Sequence, residues 1–192
     1  MRRISILFFA CFTALSALAQ PANDDPCSAI PLTVGASCSF NQYTNAAATS
    51  TTGVPAPGCA NYVSGDVWFS AVVPADGNIT LDANSGVITD GGMAVYTATS
   101  CSGPFTLLQC DDDNSANGLM PYLSLNGLTP GSTIYIRFWE YGGDNNGTFS
   151  ICAYDVPPPP PVTNDDPCGA LPVTVGTTCN YTQYTHAGAG GT

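Results

Sequence analysis

The strand signal that decides the fold of this chain reads Ser132-Thr133-Ile134-Tyr135-Ile136-Arg137-Phe138-Trp139-Glu140. Successive side chains of a β-strand point to opposite faces of its sheet, so this stretch defines two faces. The first face is predicted to carry Ile134, Ile136 and Phe138. The second face is predicted to carry Tyr135, Arg137, Trp139 and Tyr141. One face is therefore mainly aliphatic and the other mainly aromatic.

Comparable strand signals recur along residues 23–155, separated by turn residues, and no stretch shows the 3.6-residue period of an amphipathic helix. The predicted strands are residues 30–34, 39–43, 66–73, 78–83, 92–96, 105–110, 122–125, 132–140 and 148–154. One gap, residues 44–65, interrupts their regular spacing. About nine short strands predict an all-β domain, a β-sandwich or jelly roll.

The sequence repeats itself after 141 positions. Residues 23–51 align without a gap on residues 164–192, with 17 identities in 29 positions. The first copy spans residues 23–155, and a linker, residues 156–163, completes the period. Five prolines of the linker, residues 157–161, favour an extended polyproline II spacer. The second copy, residues 164–192, is truncated after about two predicted strands, so we expect a fragment of a longer tandem array.

Residues 1–19 are typical of a secretory signal peptide. Arg2 and Arg3 precede an apolar stretch, and Ala17 and Ala19 frame a small-x-small cleavage site. The alternative is a transmembrane anchor, but no apolar run approaches the ~20 residues that a span needs. We therefore predict a secreted or cell-surface protein without a membrane span.

Export determines how the cysteines are interpreted. The mature chain keeps eight of the nine cysteines, and an even number in an oxidising compartment predicts disulfides. Zinc is not expected, because no C-x-x-C pair occurs and the single histidine, His186, lies outside the first copy.

The charge composition excludes several functions. Only 9% of residues are charged and the formal net charge is -11. Arg137 is the only arginine or lysine after the leader, so nucleic-acid binding is excluded. Residues 23–155 lack histidine and lysine, which excludes a Ser/His/Asp or Cys/His nucleophile. Paired carboxylates, for example Glu140 with an aspartate, remain a weak possibility for glycoside cleavage. We predict no enzyme activity, and self-repulsion should keep the isolated domain a soluble monomer.

A group of short motifs resembles a known family. The motifs are Asn23-Asp24-Asp25-Pro26-Cys27, Pro57-Gly58-Cys59, Asp66-Val67-Trp68-Phe69, Met93-Ala94-Val95-Tyr96, Cys101, Cys110-Asp111-Asp112-Asp113, Leu128-Thr129-Pro130-Gly131 and Tyr135-Ile136-Arg137. Together they are similar to bacterial pre-peptidase C-terminal domains, repeated β-sandwich modules of large secreted proteins, many of them type IX secretion clients. The resemblance implies a non-catalytic accessory or adhesive domain, although the sorting domain expected of type IX clients is absent here.

Three disulfides are predicted within the first copy. Cys101 and Cys110 flank a short segment that Gly103-Pro104 can turn, which favours a bond between them. The resemblance suggests a second bond, Cys27 with Cys59. Elimination among the 15 connectivities of six cysteines then leaves Cys38 with Cys152.

The run Asp111-Asp112-Asp113-Asn114-Ser115-Ala116-Asn117-Gly118 is the best candidate ligand site. Oxygen donors gathered in a turn are what calcium requires, and Asp90 would add a carboxylate from a neighbouring loop. The predicted metal ligands are Asp111, Asp112, Asp113 and Asp90. The alternative is a solvated acidic turn whose side chains cap backbone groups.

Two further features of the strand at 132–140 have competing interpretations. Arg137 could grip a ligand, but an ion pair tying aspartates from adjacent loops is favoured. Trp139 and Tyr141 would form a platform for a sugar ring if the aromatic face is open, whereas a core position is the alternative.

Two functions follow. The first is an adhesive or structural bead of an extracellular array, contacting an extracellular surface, protein or polysaccharide through many weak contacts. The second is a carbohydrate-binding accessory module of a secreted hydrolase.

Overall fold

The computed structural model describes residues 19–156 and 162–190. Its first repeat contains ten strands and two short 3-10 turns, Pro26–Ser28 and Tyr141–Gly143. The strands are β1 (Ile30–Pro31), β2 (Val34–Gly35), β3 (Asn41–Thr44), β4 (Val67–Val72), β5 (Ile79–Ser85), β6 (Gly91–Ala98), β7 (Phe105–Asp111), β8 (Tyr122–Leu125), β9 (Thr133–Glu140) and β10 (Thr148–Tyr154). The prediction of an all-β domain is confirmed.

The strands form two sheets that face each other. The first sheet has the order β1-β4-β9-β6-β7, and the second has the order β2-β10-β5-β8 with β3 also paired to β10. The apolar core lies between them, and Phe138 of the first sheet stacks on Phe149 of the second, with ring centroids 3.7 Å apart. Ile134 and Ile136 lie in the same core, as the alternation of β9 predicts. The protein is therefore a β-sandwich.

The predicted strand at 30–34 forms two strands instead of one. β1 pairs with β4 in the first sheet, and β2 pairs with β10 in the second. Leu32 lies between them, its amide donating to the carbonyl of Ser70, and its side chain is buried in the core. The chain therefore crosses from one sheet to the other within two residues, which local strand propensity does not reveal.

The gap in the strand spacing, residues 45–65, is a loop that covers the outer face of the first sheet. Trp68, Tyr96 and Trp139 form a second apolar cluster there, and Ala60 of the loop closes it. Gly92 allows this fit, because a Cβ at this position would lie 2.4 Å from the Ala60 Cβ. The aromatic face of β9 is thus an interior surface.

Two of the three predicted disulfides are wrong and the third is as expected. The structure pairs Cys27 with Cys101, Cys59 with Cys110 and Cys38 with Cys152, with Cα separations of 4.7, 6.1 and 5.4 Å. The predicted turn lies between Cys101 and Cys110, but residues 105–110 belong to β7. The rise of an extended strand places Phe105 about 17 Å from Cys110, so a turn at Gly103-Pro104 lies at the far end of the strand and does not bring Cys101 to Cys110. Because Cys59 is bonded to Cys110, it is not available to Cys27.

Residues 162–190 contain no strand and are largely exposed. They reproduce one local feature of the first repeat, the 3-10 turn Pro167–Gly169 at the position equivalent to Pro26–Ser28. Their cysteines, Cys168 and Cys179, are free and exposed. The predicted signal sequence, apart from its last residue, and the prolines at 157–161 lie outside the described residues.

Candidate functional site

Arg137 occupies an interior site on the aromatic face of β9. Its Nε donates to the Asp66 Oδ2 at 3.0 Å, and the two side chains are 1% and 0% exposed. Asp66 stands directly before β4, and the register opposes Trp68 to Arg137, so strand pairing brings the carboxylate beside the guanidinium. The predicted ion pair exists, but it contains one aspartate at the start of a strand and not several from loops.

A second nitrogen of the guanidinium is also bonded within the protein. The second terminal nitrogen of Arg137 donates to the Tyr62 hydroxyl at 2.6 Å, and the Tyr62 ring lies against the guanidinium at 4.1 Å. The Asp66 carboxylate accepts further hydrogen bonds from Tyr62, Trp68 and the backbone and hydroxyl of Thr51. The protein itself therefore supplies the partners of this ion pair.

The network perturbs the titration of its members. Burial alone would raise the pKa of Asp66, but the hydrogen bond from Arg137 and its positive charge outweigh burial and hold the pKa below 3.8. Burial and the hydrogen bond to Asp66 raise the pKa of Tyr62 to about 12. The buried cation stabilises the ionised form of Asp66, whereas burial and the hydrogen bond to Asp66 favour the neutral form of Tyr62.

The predicted sugar platform is not formed. Trp139 is 0% exposed, and its Nε1 donates to the Ala60 carbonyl at 2.8 Å. Tyr141 lies beyond the end of β9, in the turn Tyr141–Gly143, and is 41% exposed. A single exposed ring does not make a stacking surface. The platform was predicted because the alternation of a strand shows which residues share a face, but it does not show that a loop covers that face.

The acidic residues form a second site at one end of the first sheet. Asp90 precedes β6, whereas Asp112 and Asp113 follow β7, and the antiparallel pairing of these strands brings the three together. One carboxylate oxygen from each lies within 4.8 Å of those of the other two. Two oxygens bound to the same Ca²⁺ lie at most about 5 Å apart, so these three carboxylates could share an ion.

Two oxygens of this cluster are buried without a partner in the protein. Among the described residues, the Asp90 Oδ1 and the Asp112 Oδ1 are the buried side-chain atoms that lack a hydrogen bond. Burial raises the pKa of Asp90, and the negative charges of Asp113 and Asp144 raise it further. Burial and then the charges of Asp113, Asp90 and Asp111 raise the pKa of Asp112. Each raised pKa reflects a carboxylate whose negative charge is partly buried and lies close to other negative charges.

Asp111 does not belong to this cluster, which corrects the predicted ligand set. Its Oδ2 accepts hydrogen bonds from the amides of Tyr122 at 2.8 Å and Asn114 at 3.2 Å, and its Oδ1 accepts from the Asn114 side chain. Asp111 is the last residue of β7 and lies opposite Met93 in the register, whereas Asp112 follows the strand.

The remainder of the acidic run is structural. The Ser115 hydroxyl donates to the Asp82 carboxylate at 2.7 Å, and the Asn117 amide donates to the Ala83 carbonyl at 3.1 Å. These bonds attach the turn to β5. The run therefore divides between capping, the alternative interpretation, and the carboxylate cluster.

Glu140, the other carboxylate considered for catalysis, has a structural contact as well. It is 4% exposed, and its Oε2 accepts a hydrogen bond from the Asp144 amide at 2.9 Å. Burial is the main cause that raises its pKa. The side chain closes the turn that follows β9.

Sequence reasoning missed the residues that hold Arg137. Tyr62 and Thr51 lie in the covering loop, where no periodic pattern exists, and only Asp66 stood inside a recognised motif. An unpaired arginine in an acidic module was the available signal, and it indicated a carboxylate partner without identifying it.

Among the residues that the structure describes, no helix is both long and apolar enough to cross a bilayer.

Neither a protein-family model nor a curated protein matches this chain. Among solved structures, the chain is similar to the pre-peptidase C-terminal domain of collagenase from Bacillus anthracis, with 12% sequence identity and a TM-score of 0.39. The match covers 72% of this chain and 99% of that chain. The matched structure is a domain of the kind that the sequence motifs resemble.

Proposed function

We propose that residues 23–155 form a non-catalytic structural or adhesive bead of a larger extracellular protein. The observation that carries the proposal is the 141-residue period, in which domain and linker recur together. A unit that repeats with its spacer is suited to building length or to multiplying weak contacts.

The interior position of the reactive groups supports a non-catalytic role. Arg137 is enclosed, Glu140 closes a turn, and Trp139 is buried beneath the covering loop. A catalytic or sugar-binding role would require such groups to face a cleft. The carbohydrate-binding alternative therefore lacks the aromatic platform on which it rested.

An extracellular location agrees with the chemistry of the fold. Three disulfides join segments 51 to 114 positions apart, and such bonds persist in oxidising compartments. The predicted signal peptide supplies an export route, and a specific route such as type IX secretion stays a prediction.

We also propose that the cluster of Asp90, Asp112 and Asp113 binds a calcium ion. The ion would relieve the repulsion among the three carboxylates and supply a partner for the two orphaned oxygens. It would stabilise the fold without creating it, since the core and disulfides do not depend on it.

Function is tested with residues 20–192 and with a chain of three complete repeats. Neither should hydrolyse a panel of peptidase and glycosidase substrates. Immobilised extracellular proteins or polysaccharides should retain the three-repeat chain far longer than the single one, because linked copies rebind. Turnover that Glu140→Gln removes would refute the non-catalytic role, and equal retention of both chains on every surface would refute adhesion through multivalency.

Calcium is tested by thermal unfolding. The melting temperature should be higher in millimolar calcium than in EDTA, and saturation at one hundred times Kd corresponds to about 2.7 kcal/mol. Replacing Asp112 and Asp113 together with asparagine should remove the difference, whereas Asp25→Asn, an exposed control, should retain it. Equal melting temperatures of the unmodified chain in calcium and in EDTA would refute calcium binding and favour the alternative, a solvated acidic turn.

A further inference from the structure

We infer that the Cys38–Cys152 disulfide carries tension along the array, so that a pulling force passes from one linker to the next without extending residues 39–151, which the bond encloses. The inference rests on the proposed function, because only a bead within a longer chain is pulled at both ends. It adds a mechanical role that the array itself does not imply.

The first and last segments of the domain lie side by side. β2 runs parallel to the end of β10, with Val34 opposite Ala153 and Gly35 opposite Tyr154. The Asp155 amide donates to the Gly35 carbonyl at 2.9 Å, which extends the pairing to the start of the linker. The chain then reverses, and β3 runs antiparallel to the first half of β10.

Cys38 lies within this reversal and is bonded to Cys152 of β10. The bond therefore joins the segment through which the chain enters the domain to the strand through which it leaves. The two cysteines are separated by 114 positions in sequence, and the intervening residues supply most of both sheets.

The direction of the strands determines how force acts on them. Tension at the N-terminal end pulls β2 backward along its axis, and tension at the C-terminal end pulls β10 forward. Because the two strands are parallel, these forces oppose each other along a common axis. The hydrogen bonds between them are loaded in shear and together, and they cannot open one at a time as in a hairpin.

If this short parallel pairing breaks, the Cys38–Cys152 bond still limits how far the two ends can separate. About 18 residues lie on the path from residue 23 to Cys38 and from Cys152 to residue 155, which limits the span of the bead to about 70 Å at full extension. Without any disulfide the same two points could separate to about 460 Å.

The other two disulfides cannot replace this one. If Cys38–Cys152 is missing, the shortest covalent path crosses Cys27–Cys101 and then follows the chain to residue 155, about 200 Å at full extension. Cys59–Cys110 lies wholly inside the loop that Cys38–Cys152 closes, so it does not affect the limit while that bond is intact.

The test is single-molecule force spectroscopy on residues 20–192 held at both ends, with Cys168→Ser and Cys179→Ser in every variant to prevent disulfide exchange. Apart from the constant length of residues 20–22 and 156–192, the oxidised protein should never lengthen beyond the 70 Å limit of the bead. The Cys38→Ser/Cys152→Ser variant should lengthen by about 130 Å more, and full reduction of the unmodified bead should add about 390 Å.

The Cys59→Ser/Cys110→Ser variant is the matched control and should keep the short limit. The oxidised protein alone keeps the test decisive if the first variant does not fold, because lengthening by several hundred Å without reductant would overturn the inference. An increase in the control equal to that of the Cys38/Cys152 variant would overturn it as well. Hydrolytic activity or a lack of multivalent retention would refute the proposed function and leave these lengths unchanged.

Discussion

At Arg137 the fold encloses the single arginine or lysine of residues 20–192. An isolated guanidinium would be costly to bury, and the carboxylate of Asp66 together with the hydroxyl of Tyr62 offsets that cost. The covering loop supplies Tyr62 and Thr51, and β4 follows Asp66, so the ion pair connects the loop to the sheet. A cation chosen for ligand binding would lie at the surface of so acidic a domain.

The ion pair predicts a specific dependence of stability on pH. The pKa of Asp66 is lowered in the folded state, so its stabilisation is complete above the unfolded value of about 3.9 and is lost as the pH falls through the lower folded value. Asp66→Asn should lower the free energy of unfolding by about 3 kcal/mol at neutral pH. Urea unfolding should show a constant difference between the two proteins from pH 7 to 5, and a shrinking one below pH 4.

The control is Asp166→Asn, which removes one negative charge outside the strands of the first repeat. Its unfolding free energy should follow that of the unmodified protein at every pH. A difference between Asp66→Asn and the unmodified protein that stays constant down to pH 2.5 would contradict a salt bridge as the source of the stabilisation.

At the scale of the elements, the sequence predicts what is local and periodic. The alternation of β9 correctly placed Ile134, Ile136 and Phe138 on one face, and in the structure that face lies in the core between the sheets. It could not show that residues 45–65 cover the opposite face, because that loop has no period and its contacts are long-range. The carboxylate cluster was partly predicted because its members flank neighbouring strands. Asp111, the last residue of β7, is outside it and accepts hydrogen bonds from Asn114 and the Tyr122 amide.

The disulfides illustrate the same limit. Proximity in sequence suggested a bond between Cys101 and Cys110. Most of the residues between them belong to the extended strand β7, which carries the chain away from the turn. The one expected pair, Cys38 with Cys152, followed from elimination and not from any knowledge that the first and last strands are neighbours.

The covering loop provides a prediction that the two tryptophans can report. Trp68 and Trp139 are both 0% exposed beneath residues 45–65, and Cys59–Cys110 attaches that loop to β7. Replacing Cys59 and Cys110 with serine should loosen the loop, shift tryptophan emission to longer wavelengths and increase quenching by acrylamide. Removing the bond should also cost about 2–4 kcal/mol of stability.

Cys38→Ser/Cys152→Ser serves as the comparison, because its bond lies in the second sheet and does not contact the aromatic cluster. That variant should lose stability while its quenching stays low at temperatures well below melting. Unchanged quenching in the Cys59/Cys110 variant would show that noncovalent contacts, such as the Trp139–Ala60 hydrogen bond, are sufficient to hold the loop.

At the scale of the whole molecule, the two copies of one sequence adopt different structures. Residues 30–44 form β1, β2 and β3, whereas the equivalent residues 171–185 contain no strand. The three strands pair with β4 and β10 of the first repeat, and no such pairing is described for residues 171–185. Secondary structure at the start of each repeat therefore depends on the strands that follow it.

This dependence predicts that the second copy folds once its partners are supplied. Residues 192 and 51 are equivalent, so appending residues 52–155 after Thr192 completes a second repeat. Cys168 and Cys179, equivalent to Cys27 and Cys38, should then form disulfides with the appended equivalents of Cys101 and Cys152. Under denaturing conditions, Ellman's reagent should detect two thiols in residues 20–192 and none once the second repeat is completed. Serine at those two appended positions should restore two thiols, and two reactive thiols in the completed chain itself would show that the repeated segment needs more than its missing strands to fold.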